Sequence, residues 1–206
     1  MNKQTRICTL LIAVASFLCL GGCQTTGAPV SADLNQYPVN LYLKDYAPQL
    51  KPERYEFYRD RKICMSNIRN EAQSTTNFFY FSKDSRARYE LSNKGNSPMQ
   101  MIPGFFWYAY QKAFESVGIE AVHRCEAGMP EFWIVIGSLD DEEVRFKTHI
   151  LKNGETIYQK EMEVIMKPSQ NRHPSVLTAR AYEMIDLSVV AMLDDPGIKE
   201  ILLRVD

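Results

Sequence analysis

The chain has 206 residues, with 24 basic and 25 acidic side chains and a formal net charge of −1. That balance, with no basic stripe, argues against nucleic acid as a partner. Aromatic residues make up 11% and charged residues 24%, a composition suited to a folded domain with a real core.

Lys3 and Arg6 are the only charges at the N-terminus, and an apolar run follows over residues 7–20, broken by Thr9 and Ser16. That run is 14 residues long, whereas crossing a hydrocarbon core takes about 20. A basic start, a short apolar run and small residues are the layout of a secretory signal peptide. Leu20-Gly21-Gly22-Cys23 comes directly after the run and resembles the bacterial lipobox. The resemblance implies cleavage after Gly22, a diacylglycerol thioether on Cys23 and acylation of the new amine. Two or three acyl chains hold a protein on a membrane, since each buried methylene adds about 0.8 kcal/mol. Gln24 follows the cysteine, which resembles the outer-membrane sorting class of enteric-type bacteria. The expected address is the cell envelope, lipid-anchored to the outer membrane and facing the periplasm. The other reading is a plain exported protein in which Cys23 happens to lie near the cut.

With residues 1–22 removed, 184 remain, carrying 22 basic and 25 acidic side chains. Cys8 and Cys19 leave with the signal and Cys23 carries lipid, so Cys64 and Cys125 are left. An even pair in an oxidising compartment predicts a disulfide. The alternative is two buried, unpaired thiols.

Residues 23–36 read as a lipidated flexible tether, polar and containing Gly, Pro and Ser. The remainder, 37–206, reads as one domain. Val39, Leu41 and Leu43 alternate with polar residues as a first strand. A second strand is predicted over 61–69 and a third, strongly aromatic one over 77–82. Residues 92–98 (SNKGNSP) read as a loop. Pro103 opens a predicted helix that ends at Gly118. A strand is expected over 119–123. Residues 132–136 (FWIVI) read as a central strand buried on both faces.

Val144, Phe146, Thr148 and Ile150 alternate with Arg145, Lys147 and His149, and Asn153-Gly154 then marks a two-residue hairpin turn. The returning strand carries its apolar set at Tyr158, Met162, Val164 and Met166. Regular pairing puts that set one step out of phase, so a bulge or a longer turn is expected. Residues 174–193 form a long amphipathic helix, stopped by Asp194-Asp195-Pro196-Gly197.

Catalytic motifs are missing: there is no Gly-rich phosphate loop, no G-x-S-x-G and no H-E-x-x-H. No metal site, cofactor or catalytic residue is assigned. His123 and Cys125 are two residues apart, a spacing that could serve a thiol nucleophile unless a disulfide consumes Cys125. The acidic run Asp140–Glu143 lacks the spacing of a calcium loop and reads as solvated turn charges. Phe105, Phe106, Trp107 and Tyr108 wrap around their helix, and one face cannot bury them all. They form either core beneath the sheet or a partly exposed patch for a partner protein or lipid, a protein being favoured because the acyl anchor already supplies membrane affinity.

The order from Pro103 onward is helix, strand, central strand, hairpin, helix. With the lipobox, it resembles the small envelope lipoproteins of the YajG-like and transport-auxiliary kind. Only Cys23 and its lipobox carry a role over from that likeness. It implies a three- or four-stranded sheet covered by two helices; the elements of this chain together read as an α+β domain with a mixed or antiparallel sheet of about four to six strands and two helices packed on one face. It also implies a non-catalytic accessory lipoprotein of an envelope complex for transport, assembly or secretion, with an envelope protein as partner. The second reading is a binding module for a small apolar ligand or lipid between sheet and helices.

Overall fold

The structure is a computed structural model that describes residues 36–91 and 101–204. The lipobox residues Leu20, Gly21, Gly22 and Cys23, the tether and the loop expected over 92–98 lie outside the described residues.

The described strands form two mixed sheets on one shared core. The larger contains β2 (Lys62–Asn70), β5 (Glu120–Val122), β6 (Glu131–Leu139), β7 (Glu143–Lys152) and β8 (Glu155–Ile165), in the order β5-β2-β6-β7-β8. Its first three strands run parallel, and β7 and β8 follow antiparallel. The smaller sheet joins β1 (Tyr37–Leu41), β4 (Ala87–Leu91) and β3 (Phe79–Phe81), with β1 parallel to β4. Three α-helices accompany them: α1 (Ile102–Ser116), α2 (Pro174–Leu193) and α3 (Pro196–Arg204). The class is α+β, as expected. The second sheet and the third helix go beyond the expected single sheet with two helices.

α1 lies over β2 and β5, and α2 lies over β7 and β8. Between helices and sheet are Ile63, Met65 and Ile68 of β2, Phe132, Ile134 and Ile136 of β6, and Val144, Phe146 and Ile150 of β7, all buried. Phe114 of α1 meets Phe132 edge-on at 6.4 Å. β6 therefore corrects the expectation of burial on both faces. Its other face carries Trp133 and Val135, both half-buried, and Gly137, exposed. The helices cover one side only, and apolar residues on the open side hide the alternation that would have revealed it.

The β7–β8 hairpin contains the expected bulge. Asn153 and Gly154 form the turn with φ of 53° and 83°, and Lys152 pairs with Glu155. Leu151 pairs with Thr156 and Ile150 with Tyr158, so Ile157 stands outside the ladder. That one extra residue brings Met162 opposite Phe146 and Val164 opposite Val144, and the two apolar sets share a face. Ile157 itself is 47% exposed.

Asp195-Pro196 ends one helix and starts another. The Asp195 carboxylate accepts from the Ile198 N–H at 2.9 Å, capping the first turn of α3, and Pro196 occupies that turn. Gly118, just past α1, has a φ of 86°, and a Cβ there would lie 3.3 Å from the Arg59 backbone. Glycine fits this site on both counts.

The segment between β1 and β2 follows α2 along its length. The Tyr42 N–H donates to the Tyr182 hydroxyl at 3.0 Å, and that hydroxyl donates to the Tyr42 carbonyl at 2.8 Å. Tyr46 and the Gln49 N–H both donate to the buried Asp186 carboxylate, at 2.6 and 2.9 Å. Tyr58 reaches the Leu193 carbonyl at 2.8 Å. The acidic run is also more built-in than its sequence suggested. Asp141 is only 5% exposed, paired with Arg172 at 2.9 Å. It also accepts from the Lys83 N–H at 2.9 Å, which joins the β6–β7 turn to the smaller sheet.

Candidate functional site

Cys64 and Cys125 are bonded, with their Cα atoms 5.1 Å apart and a sequence separation of 61. A crosslink over a loop of that length stabilises the fold by about 4 kcal/mol in the chain-entropy account. Cys64 sits in β2 with no exposure, and Cys125 lies in the loop after β5. The bond leaves Cys125 no free thiol to work with His123.

An open cleft of about 720 Å³ begins beside this bridge. One wall is the outward face of α1, with Pro103, Gly104, Trp107, Tyr108 and Gln111; the sheet side is Ser66, Asn67 and Ile68 of β2; the end of β5 closes it at Val122 and His123. Such a volume lies in the range of ligand sites.

Helix phase decides which aromatics reach the cleft. Phe105, Phe106, Ala109, Tyr110 and Ala113 fall on the side facing the sheet and α2, and all are buried. Trp107 and Tyr108 fall on the opposite side with Gly104 and Gln111 and are half-buried. Of the four aromatics expected at a partner patch, Phe105 and Phe106 are therefore core, 2% and 3% exposed, a correction to that expectation. Trp107 meets Tyr108 edge-on at 4.8 Å and the His123 ring at 5.3 Å, so three rings stand together at the mouth.

α1 also supplies polar caps to the sheet beneath it. The Trp107 Nε1–H donates to the Met65 carbonyl at 2.6 Å. Gln111 Nε2 donates to the Ala121 carbonyl at 3.3 Å. The Oγ of Ser66, by contrast, is buried and has no hydrogen-bond partner among the described residues. Ser66 is the bulged residue of β2, where pairing with β6 jumps from Met65↔Phe132 to Asn67↔Trp133.

No cluster of three or more His, Cys, Asp or Glu able to hold a metal occurs among the described residues. No described helix is long and apolar enough to cross a membrane.

No family model matches the chain, and no curated protein matches it. Among solved structures, it is similar to an uncharacterised protein at 10% identity and a TM-score of 0.42, covering 69% of this chain and 93% of that one. It is also similar to protein XCC0632 from Xanthomonas campestris, of the DUF330 family, at 8% identity and a TM-score of 0.45. That match covers 82% of this chain and 94% of the other.

Proposed function

We propose that this chain is a lipid-anchored, non-catalytic accessory protein of a bacterial envelope complex, and that it docks a protein partner in the cleft beside α1. The observation that carries this reading is the half-buried Trp107–Tyr108 pair lining an open cleft. Large aromatics held rigid at a concave surface are the residues on which binding energy concentrates. The lipobox at Leu20–Cys23 supports the anchor, and the Cys64–Cys125 bond suits an oxidising compartment.

The test is photo-crosslinking in living cells from a benzoyl-phenylalanine at position 108, with position 165 as control. Ile165 is 67% exposed on the far edge of the larger sheet. A discrete adduct from 108 that is missing from 165 supports docking at the cleft. Identical adduct patterns from the two positions, or none from 108, sink it.

A second reading has one specific observation in its favour. The cleft's volume and apolar walls also suit a small apolar ligand or an acyl chain. Native mass spectrometry of protein purified in mild detergent separates the two, since a retained small ligand would favour this one.

A further inference from the structure

The sheet side of the cleft is a strand edge, and its backbone points to the kind of chain that fits it. β5 covers β2 only at Lys62, Ile63 and Cys64. Beyond Cys64 no described strand lies on that side of β2. The direction of each backbone group follows from two bonds. Cys64 N–H donates to the Pro130 carbonyl at 3.0 Å, and Glu71 N–H donates to the Ile136 carbonyl at 2.8 Å. Both point toward β6. Peptide groups alternate sides along a strand, so Asn67 and Arg69 also turn toward β6. Met65 points the opposite way, as its bond from Trp107 shows, and so does Ile68. At Asn70 the edge closes, because the Asn70 side chain turns to Thr75 and to the Ala72 N–H.

A short row of outward peptide groups is thus left between the end of β5 and Asn70. Its Met65 carbonyl is satisfied by Trp107. By that alternation the N–H and carbonyl of Ile68 face the open side, where no described strand pairs with β2, and the Ser66 Oγ has no hydrogen-bond partner among the described residues.

We propose that the cleft takes an extended stretch of a partner's polypeptide, which adds to the larger sheet as a strand alongside β2 at Ile68, continuing the line that β5 begins. This rests on the reading of the cleft as a docking site and names the chemistry of what docks. Three observations commit to peptide. The paired donor and acceptor of Ile68 are complementary to another strand's backbone. β5 already occupies the same position in the sheet, so the added segment extends an existing pairing. Alternate side chains of an added strand project toward α1, where Trp107 and Tyr108 stand. An acyl chain would cover the same apolar wall while stripping water from Ile68's peptide groups without replacing the lost bonds.

The experiment uses the full chain in mild detergent and short peptides selected on it from a random display library, counter-selected against Tyr108→Ala. Amide exchange is followed by NMR with and without a selected peptide, and each peptide amide is N-methylated in turn. Sodium oleate serves as the apolar comparison ligand. The expected result is slowed exchange at the Ile68 amide and a tenfold or greater loss of affinity on N-methylation at the one peptide position whose N–H reaches the Ile68 carbonyl. Peptides that require Tyr108, yet leave Ile68 exchange unchanged and tolerate N-methylation throughout, would overturn strand addition and leave the docking reading standing. Recovery of no Tyr108-dependent peptide, with oleate binding that does depend on Tyr108, overturns both.

Discussion

The Trp107 indole donates to the Met65 carbonyl, so one side chain both seals a polar gap in the sheet edge and forms a wall of the cleft. Stability and the proposed docking role are joined at that residue and separate on either side of it. Trp107→Phe keeps an aromatic wall and removes the bond, at a cost of about 1 kcal/mol. Tyr108→Ala should cost under about 1 kcal/mol, as half-exposed substitutions do, while Phe105→Ala or Phe106→Ala should cost about 3–5 kcal/mol. Denaturant unfolding of the four variants gives the comparison, and a neutral Phe105→Ala would remove Phe105 from the core.

The disulfide gives a second prediction. Reductant, or replacement of Cys64 and Cys125 together by Ala, should lower stability by about 2–4 kcal/mol. Thermal melting with and without reductant tests it. An unchanged melting temperature on full reduction would show that the bond adds nothing.

Ile157 offers a third, of opposite sign to intuition. Deleting a residue inside a strand normally throws every later side chain to the wrong face. Ile157 is the extruded residue of the bulge, so its deletion leaves Tyr158, Met162 and Val164 in register and should change stability by under about 1 kcal/mol. Deleting Glu163 instead, beyond the bulge, would move Val164 opposite Arg145 and off the shared apolar face, and should destabilise the hairpin far more. If circular dichroism and melting find the two deletions alike, the register described for β8 is wrong.

Acid stability depends on Asp195. Burial opposes its charge, but hydrogen bonds from Lys160, Tyr158 and the Ile198 N–H outweigh that and hold its carboxyl below the usual value. Asp84 is held low as well: its burial is outweighed by hydrogen bonds from Ser82 and the Arg86 N–H and by Arg172. A lowered folded value stabilises the protein above the unfolded value of about 4. That stability is lost as pH falls through the folded value. Asp186 has the opposite sign, because burial raises it and acid relieves that penalty. Melting curves should therefore shift down below about pH 4, and less steeply in Asp195→Asn, which keeps an acceptor for the α3 cap. Parallel pH profiles for the two proteins would refute the assignment.

Cys23→Ser tests the anchor. It should move the protein from the membrane fraction to the soluble fraction and abolish palmitate incorporation. Continued membrane residence of that variant would refute the lipobox.

The sequence made some of this fold legible through local rules. The two apolar sets of the hairpin could not share a face without an extra residue, so the β8 bulge could be anticipated even though Ile157 could not be singled out. α2 was readable from Pro174 to Leu193 by its periodicity and its stop. α3 was missed because Asp195-Pro196 is both a stop for one helix and a cap for the next. β4 was missed because Ala87, Tyr89 and Leu91 form a short alternation whose parallel partner, β1, lies far away in sequence. The cleft left no motif, since its walls come from β2, α1 and β5 and meet only after folding. One signal was available: Gly104, Trp107, Tyr108 and Gln111 share a helix face that Phe105 and Phe106 do not.

The chain from Tyr42 to Tyr58 is fastened to α2 at successive heights, by Tyr182, Asp186 and Leu193. A pull on the N-terminal end of the domain therefore loads α2 directly. Tyr182, holding both the N–H and the carbonyl of Tyr42, is the first fastening beyond β1 to bear that load. Because α2 also packs on β7 and β8, the force spreads into the larger sheet. A domain pulled by its leading end would in this way be braced by a helix about 140 residues further along the chain, and it would reach mechanical strength only once α2 is in place.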